Sequence, residues 1–529
     1  MKNKCTEVKN VLLKHFINGK CFLLSLYIAF IFGMHSIIVY DSSKGIIRGV
    51  LLSFLLSFFI IPVAYKKIAD FDFSFVNRNP NSTEKKHKIL FFLVPFFALL
   101  VCYYIFYPGV LHQSDCAVQF NQAYTNQYDD WHPALHTFIA YKIPLLLSGN
   151  KVGPIVFFQI LELSLSIYYS LCSIDKYVNK KVSLIIMLFY TFNPQIIYMA
   201  MYPVKDVAFA IGSILMVTFL FNIIFTKGEW ITKKRNMIFL VLTISITTII
   251  RHNAILFTLP YLIAMCMYYK NKKQIIFSTF SCVACILLIK GPFYFYLNVA
   301  KPTNRNTEVL GLPMSIIGQC VSKSPELLDK DVLEFAYKVA PKKIWESNYS
   351  GGFNSVKWSS DNWEVVDEAG VKYVLNLMIK CFKESPRNAL KGFANTTCSV
   401  YSIVDDCDYT YIPSLHTNEW NCGIIRYPQK FYYVYESVVS VLLPHLFIYI
   451  GSMHLILLTV FLTRKTMNCK EFLKQFFIVL PVFSYDFGTM LLLSGVGDSA
   501  RFFFYTFLVV PILVIILLKP KENVAKIEE

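Results

Sequence analysis

Between Tyr107 and Gly149 the chain gathers residue types that can do acid–base and anion chemistry. Asp115 and Gln119, in SDCAVQF, are four apart, which on a helix puts a carboxylate and an amide on one face. Asp129-Asp130-Trp131-His132-Pro133 follows, and His136 comes four residues after His132. A positioned carboxylate can take the proton of a hydroxyl nucleophile, and two histidines at i, i+4 have a metal-ligand spacing. Each group also has a plainer reading. Asp115 can cap a helix, Asp129 and Asp130 can cap the turn before Pro133, and the two imidazoles can bond to backbone. No Lys or Arg occurs from Tyr107 to Trp131, so any cation serving this stretch has to come from elsewhere in the chain.

Three later segments supply cations. Asn193-Pro194-Gln195 leads to Tyr202-Pro203-Val204-Lys205-Asp206; Arg251 stands in Arg251-His252-Asn253; and Arg501 stands in GVGDSARFFFYTFLVVP. Each sits at the end of an apolar run, where a charge is costly unless it snorkels or has a partner. If these ends share the depth of Asp115, two acids (Asp115 and Asp206) face three cations (Lys205, Arg251 and Arg501). A carboxylate base beside cations that neutralise a departing phosphate is what group transfer from a phosphate-linked lipid requires.

The elements that must hold these residues are membrane helices. With 55% hydrophobic and 16% charged residues and a mean hydropathy of +0.48, the chain is too apolar for an ordinary soluble enzyme. A span needs roughly 20 apolar residues. Twelve runs qualify, near 21–40, 46–65, 89–106, 153–175, 183–201, 206–226, 237–250, 253–269, 275–298, 433–462, 472–493 and 502–518. The runs at 237–250 and 253–269 are short and share the polar break at Arg251, which predicts a helical hairpin turning at the outer face.

Orientation follows from Lys and Arg. With the N-terminus inside, the cytoplasmic segments hold 28 basic residues. The short outer segments hold Lys44, Arg48, Lys142, Lys151, Lys205, Arg251 and Arg501. This bias obeys the positive-inside rule and accounts for much of the +17 net charge without nucleic acid. The alternation requires that 132–148, with His132, Pro133, His136, Lys142 and Pro144 along it, lie at the outer interface as one or two amphipathic helices.

The expected layout is therefore an all-α polytopic membrane protein of about 12 transmembrane helices with outer-face interfacial helices and a small outer domain. An N-terminal module, 1–298, carries the catalytic loop 107–152. Residues 299–432, where the apolar signal lapses, form an extracytoplasmic domain, and 433–529 return to membrane helices and a cytoplasmic tail. The first run reads as a retained signal-anchor, so both termini are cytoplasmic and the protein is multi-pass in the plasma membrane. The 14 cysteines indicate no zinc ribbon; the five in the outer domain allow at most two internal disulfides.

In the order of these parts the chain resembles the GT-C superfamily, polytopic glycosyltransferases that use polyprenyl-phosphate-linked sugars. The likeness lies in an early outer loop with an Asp (Asp115), a His-Pro interfacial stretch (His132-Pro133) and a Gly-Asn turn into the next span (Gly149-Asn150). Later come Lys205-Asp206, the Arg251 turn and Asp498-Ser499-Ala500-Arg501-Phe502. It covers most of 88–300 and 470–518. The resemblance implies that Asp115 is the catalytic base, that Arg501 with Arg251 or Lys205 binds the donor phosphate, and that Gln119, Asp129, Asp130, Trp131, His132, His136 and Asp206 shape the substrate pocket. The superfamily's adjacent acidic pair is not reproduced, because Asp115 is followed by Cys116; Asp129 or Asp130 is then the second carboxylate. A divalent cation is compatible with the sequence and not required by it. The expected partners are membrane lipid, a polyprenyl-phosphate-linked sugar and a glycan or lipid acceptor. The rival expectations are a lipid-linked glycan ligase or polymerase, and a transporter or flippase of such lipids, whose charges would sit nearer the bilayer midplane.

Overall fold

The computed structural model describes residues 19–40, 42–69, 75–76, 88–109, 114–269, 272–301, 305–359, 362, 364–401, 430, 433–434, 437, 450–463, 469–493 and 498–519. Among these the architecture is all-helical, and the β-pairing is limited to two isolated bridges, Val76 with Val178 and Asp129 with Ala300. The first helices are α1 (Gly19–Val39), α2 (Ser43–Ala69), α3 (Leu90–Ile105) and α4 (Ser114–Thr125), followed by α5 (Ala134–Ser148), which contains a π-helical turn over Thr137–Lys142. Next come α6 (Gly153–Ile174), α7 (Lys180–Phe192), α8 (Pro194–Ala200), α9 (Lys205–Phe225), α10 (Lys234–Ile250), α11 (Ile255–Tyr268) and α12 (Lys273–Tyr296).

Among the described residues five helices are long and apolar enough to cross a membrane: α1, α6, α9, α12 and the C-terminal stretch Arg501–Leu518. They become six if α7 and α8, bent by 55°, count as one span. The other apolar runs are helical too, with α3, α5, α11 and α17 (Ile450–Thr463, placed below) shorter than a span. Of the run at 433–462 only the part from 450 on is continuously described, and the N-terminal residues 1–18 and the tail from 520 lie outside the described residues.

Local chemistry sets the breaks. Asn193 accepts hydrogen bonds from the backbone N–H of Gln195 (2.9 Å) and Ile196 (3.4 Å), and Pro194 opens α8, so the chain re-initiates a helix after a bend. Gly149 ends α5 with φ +64°, a left-handed cap that favours glycine. The expected break is present: α10 stops at Ile250, and Arg251–Ala254 turn the chain into α11. The two helices then part, α10 packing on α9 and α12 and α11 on the helix Cys469–Met490, so they do not form a tight hairpin. The helix α9 is the axis of the body. Most of its length is buried, and it packs against α6, α10 and the last helix, with Gly212 so close to Thr247 that a side chain there has no room. By contrast α12 is mostly exposed, with Phe280, Leu287 and Leu288 turned outward, as a lipid-facing helix requires.

Residues 305–397 form a separate helical unit around α13 (Gly311–Lys323), α14 (Lys330–Val339) and α15 (Val371–Glu384). Its centre is Trp345, fully buried, whose indole N–H donates to the carbonyls of Ala336 (2.9 Å) and Ala340 (3.0 Å). The following helix, α16 (Pro386–Tyr401), packs along α13 in that core and reaches from it onto α1 and the turn that carries Arg501. Residues 402–429, with Cys407 and Cys422, lie outside the described residues, whereas Cys320 and Cys381 are free thiols. The chain ends with α17 (Ile450–Thr463), α18 (Cys469–Met490), a 3₁₀ turn over Asp498–Phe503 and α19 (Tyr505–Leu518).

Candidate functional site: an ion cluster at four helix ends

Two carboxylates are set where helix dipoles favour them. Asp115 lies in the first turn of α4 and Asp206 in the first turn of α9, so each faces the partial positive charge of a helix N-terminus. Arg251 caps the C-terminus of α10, which favours a cation. Arg501 lies in the 3₁₀ turn before α19, where no dipole helps it, so its stability depends on the acids around it.

The four come together across the fold. Arg501 Nη1 is 3.0 Å from Asp115 Oδ2, and its Nε is 3.9 Å from Asp206 Oδ2. Arg251 is ion-paired with Asp206 Oδ1, and both side chains are buried. Arg501 Nη1 also donates to the hydroxyl of Tyr202 at 3.0 Å. Both guanidinium groups lie against the ring of Phe502, at 4.7 and 5.0 Å from its centroid, so one aromatic face supports two cations. Lys205 is the fifth member. Its ammonium donates to Nδ1 of His132 at 3.3 Å, which leaves His132 neutral, and no carboxylate lies within ion-pairing distance of it among the described residues. Two acids thus face two guanidinium groups and one lysine, a formal excess of one positive charge.

The positioning groups act through backbone carbonyls. Gln159 of α6 donates its amide to the carbonyls of Met199, Ala200 and Tyr202 (3.3, 3.0 and 2.9 Å), and the Tyr141 hydroxyl of α5 donates to that of Pro203 at 2.6 Å. These bonds hold the turn from which Lys205 and Asp206 emerge. On the other side Arg251 Nε donates to Asn253 Oδ1 (3.0 Å), and Asn253 donates to Thr489 Oγ1 of α18 (2.7 Å). Gln159, Tyr141 and Thr489 were not singled out from the sequence, and Tyr202 and Asn253 stood there only as members of the segments that carry Lys205 and Arg251. A polar residue inside an apolar run is the only signal available for them, and many such residues do no more than bond within their own helix.

Burial alone would raise the Asp115 carboxyl, but Arg501 and Lys205 outweigh it and hold Asp115 well below the usual carboxylate range. His132 is pushed down to about 3 by burial, reinforced by Lys205, and His136 likewise to about 3. Both imidazoles are therefore neutral near pH 7, and the charge balance of the site rests on Asp, Lys and Arg.

The remaining expected residues divide. Gln119 and Asp115 share a face of α4, but Gln119 turns to α5, its Oε1 accepting from His136 Nδ1 at 2.6 Å. Asp129 accepts from its own neighbour, the Trp131 N–H (2.9 Å), and Asp130 pairs with Lys290 (2.7 Å) while its carbonyl accepts from His252 (2.8 Å). Neither supplies the second carboxylate beside Arg501; Asp206 does. Trp131 stacks under the Lys357 ammonium of the 305–397 unit, 5.3 Å from its ring centroid. His132 and His136 are engaged by different partners, and among the described residues no group of three or more His, Cys, Asp or Glu side chains is placed to hold a metal ion. No family model, curated protein or solved structure matches the chain.

Proposed function

We propose that this protein is an inverting membrane glycosyltransferase of the GT-C type, moving a sugar from a polyprenyl-phosphate donor to a cell-envelope acceptor at the outer face of the plasma membrane. The observation that carries the reading is the cluster itself. A carboxylate stands 3.0 Å from an arginine at the ends of apolar helices, in a set of five charges with one positive charge in excess. A phosphodiester-linked lipid sugar brings one negative charge and a tail that stays in the membrane.

In the reaction Asp115 accepts the proton of the acceptor hydroxyl, and the oxygen attacks the anomeric carbon from the face opposite the phosphate. The bond from that carbon to the phosphate oxygen breaks, its electron pair leaving with polyprenyl phosphate, which Arg501 and Lys205 neutralise. Before the donor arrives, Arg501 keeps Asp115 a weak base. A phosphate that draws on the same guanidinium returns basicity to the carboxylate, so donor binding prepares the base. Arg251, locked to the buried Asp206, holds the cluster's shape.

The test uses the full chain in lipid nanodiscs with radiolabelled polyprenyl-phosphate sugars of several kinds and a membrane extract as acceptor source. Label should move from the organic phase to acceptor, and Asp115→Asn should slow it by about 10²–10⁴-fold, the usual contribution of a positioned base. Full activity in Asp115→Asn would show that the base is elsewhere. A preformed chain appearing on the acceptor in one event would identify a ligase. The second reading, a transporter or flippase, draws on a buried ionisable pair within the apolar helices, His454 and Asp486. It predicts label that crosses a proteoliposome bilayer with its lipid unchanged.

A further inference from the structure

The polar face of α4 does not end at the ion cluster. Asp115, Gln119 and Gln122 are spaced i, i+4, i+7, so one stripe runs from the carboxylate down the helix. Asp115 faces Arg501 and Gln119 faces His136. Gln122, 6% exposed, has neither its amide nitrogen nor its amide oxygen hydrogen-bonded among the described residues, and both atoms are sealed from solvent. His136, 2% exposed, is in the same condition on its far side: Nδ1 donates to Gln119, and Nε2, a bare acceptor, has no partner among the described residues. Buried amides and imidazoles are rarely left with open hydrogen-bonding capacity, and here one donor group and two acceptors are left open along the stripe that begins at the proposed base, with Gln122 two helical turns from Asp115.

We infer that Gln122 and His136 form a hydroxyl-recognition subsite for an uncharged sugar ring held beside Asp115. This rests on the glycosyltransferase reading of the same site and adds what the sugar is. The open groups are neutral, and the cluster's carboxylate–guanidinium pairs are made at the Asp115 end of the stripe, so the Gln122 end suits a ring carrying hydroxyls rather than a carboxylate or an ammonium. A hydroxyl can donate to His136 Nε2 and to Gln122 Oε1 and accept from Gln122 Nε2. Because these atoms are sealed, occupation requires the covering residues to move outward, and the ring then replaces them.

The experiment has two arms. In the first, decaprenyl phosphate and decaprenyl-phosphate neutral hexoses are titrated against the full chain in nanodiscs by native mass spectrometry. The wild type should bind at least one hexosyl lipid about tenfold more tightly than the bare phosphate lipid. Gln122→Met should lose that increment while binding the bare lipid as before. In the second, free methyl glycosides of neutral hexoses and pentoses, of a uronic acid and of an amino sugar are screened by saturation-transfer NMR. This arm does not depend on the phosphate. Neutral glycosides should give signals that Gln122→Met abolishes. Gln122→Met should also raise the melting temperature, because it removes two unpaired polar atoms at similar volume. A purely structural amide would show the reverse. The inference is overturned if Gln122→Met leaves glycoside binding intact, if it lowers the melting temperature, if the charged glycosides are preferred, or if no neutral glycoside binds. Failure of the bare lipid to bind, with neutral glycosides still bound, would overturn the phosphate reading alone.

Discussion

The ion cluster around Asp115 and the His454–Asp486 pair are both ionisable and held by α18, yet they are built differently. In the pair His454 Nε2 is 2.6 Å from Asp486 Oδ2, Tyr27 lies 3.0 Å from His454 Nδ1, Thr506 donates to the same carboxylate oxygen at 3.1 Å, and both ionisable side chains are fully buried. One acid meets one base, and four helices close around them. In the cluster three cations meet two acids, and Asp115 and Arg501 keep 24% and 14% of their side chains exposed. A balanced, sealed pair ties helices together. An unbalanced, partly open one retains charge for something that arrives.

The largest effect expected from this contrast is on stability. His454→Ala or Asp486→Ala leaves its partner buried without compensation and should cost about 3–5 kcal/mol, whereas the double replacement by leucine should recover most of it. Thermal denaturation of the purified protein measures both. Arg501→Gln, next to a partly exposed carboxylate, should move the melting temperature far less. If Arg501→Gln proved the more damaging, the roles assigned to the two clusters would be reversed.

A smaller effect comes from pH. His132 and His136, whose folded values of about 3 lie below the ordinary 6.5, bind protons more readily when unfolded. Their contribution is complete above pH 6.5 and declines as pH falls below it, by roughly 1.4 kcal/mol per unit for each imidazole. Melting curves between pH 7.5 and 5.5 should therefore fall steeply for the wild type and be flatter for His132→Asn combined with His136→Gln. Equal slopes would mean that the imidazoles are solvated.

Much of the cluster was legible because its members stand at helix ends. Lys205, Asp206, Arg251 and Arg501 are charges at the borders of apolar runs, where the membrane makes any charge conspicuous, and Asp115 stands in a polar segment between two such runs. The helical character of those runs and the break at Arg251 followed from hydropathy and one polar interruption. What could not be read is pairing at a distance. His454 and Asp486 are 32 residues apart in two apolar stretches, and neither signals the other. Asp129 and Asp130 looked like companions of Asp115 because they are near it in the chain, but the loop after α4 carries them to Trp131 and Lys290. Asp206, 91 residues from Asp115 in the chain, occupies the place beside Arg501. Gln122 gave no sign, since its importance lies in bonds that it does not make.

If the formal excess of positive charge in the cluster serves to receive a lipid phosphate, charge must decide which lipid binds. Decaprenyl phosphate and the uncharged alcohol decaprenol are each titrated against wild type and Arg501→Gln in nanodiscs by native mass spectrometry. The wild type should prefer the phosphate at least tenfold, the preference should weaken with salt as a charge interaction must, and Arg501→Gln should remove it. Equal binding of the two lipids, or a preference unchanged in Arg501→Gln, would contradict that role.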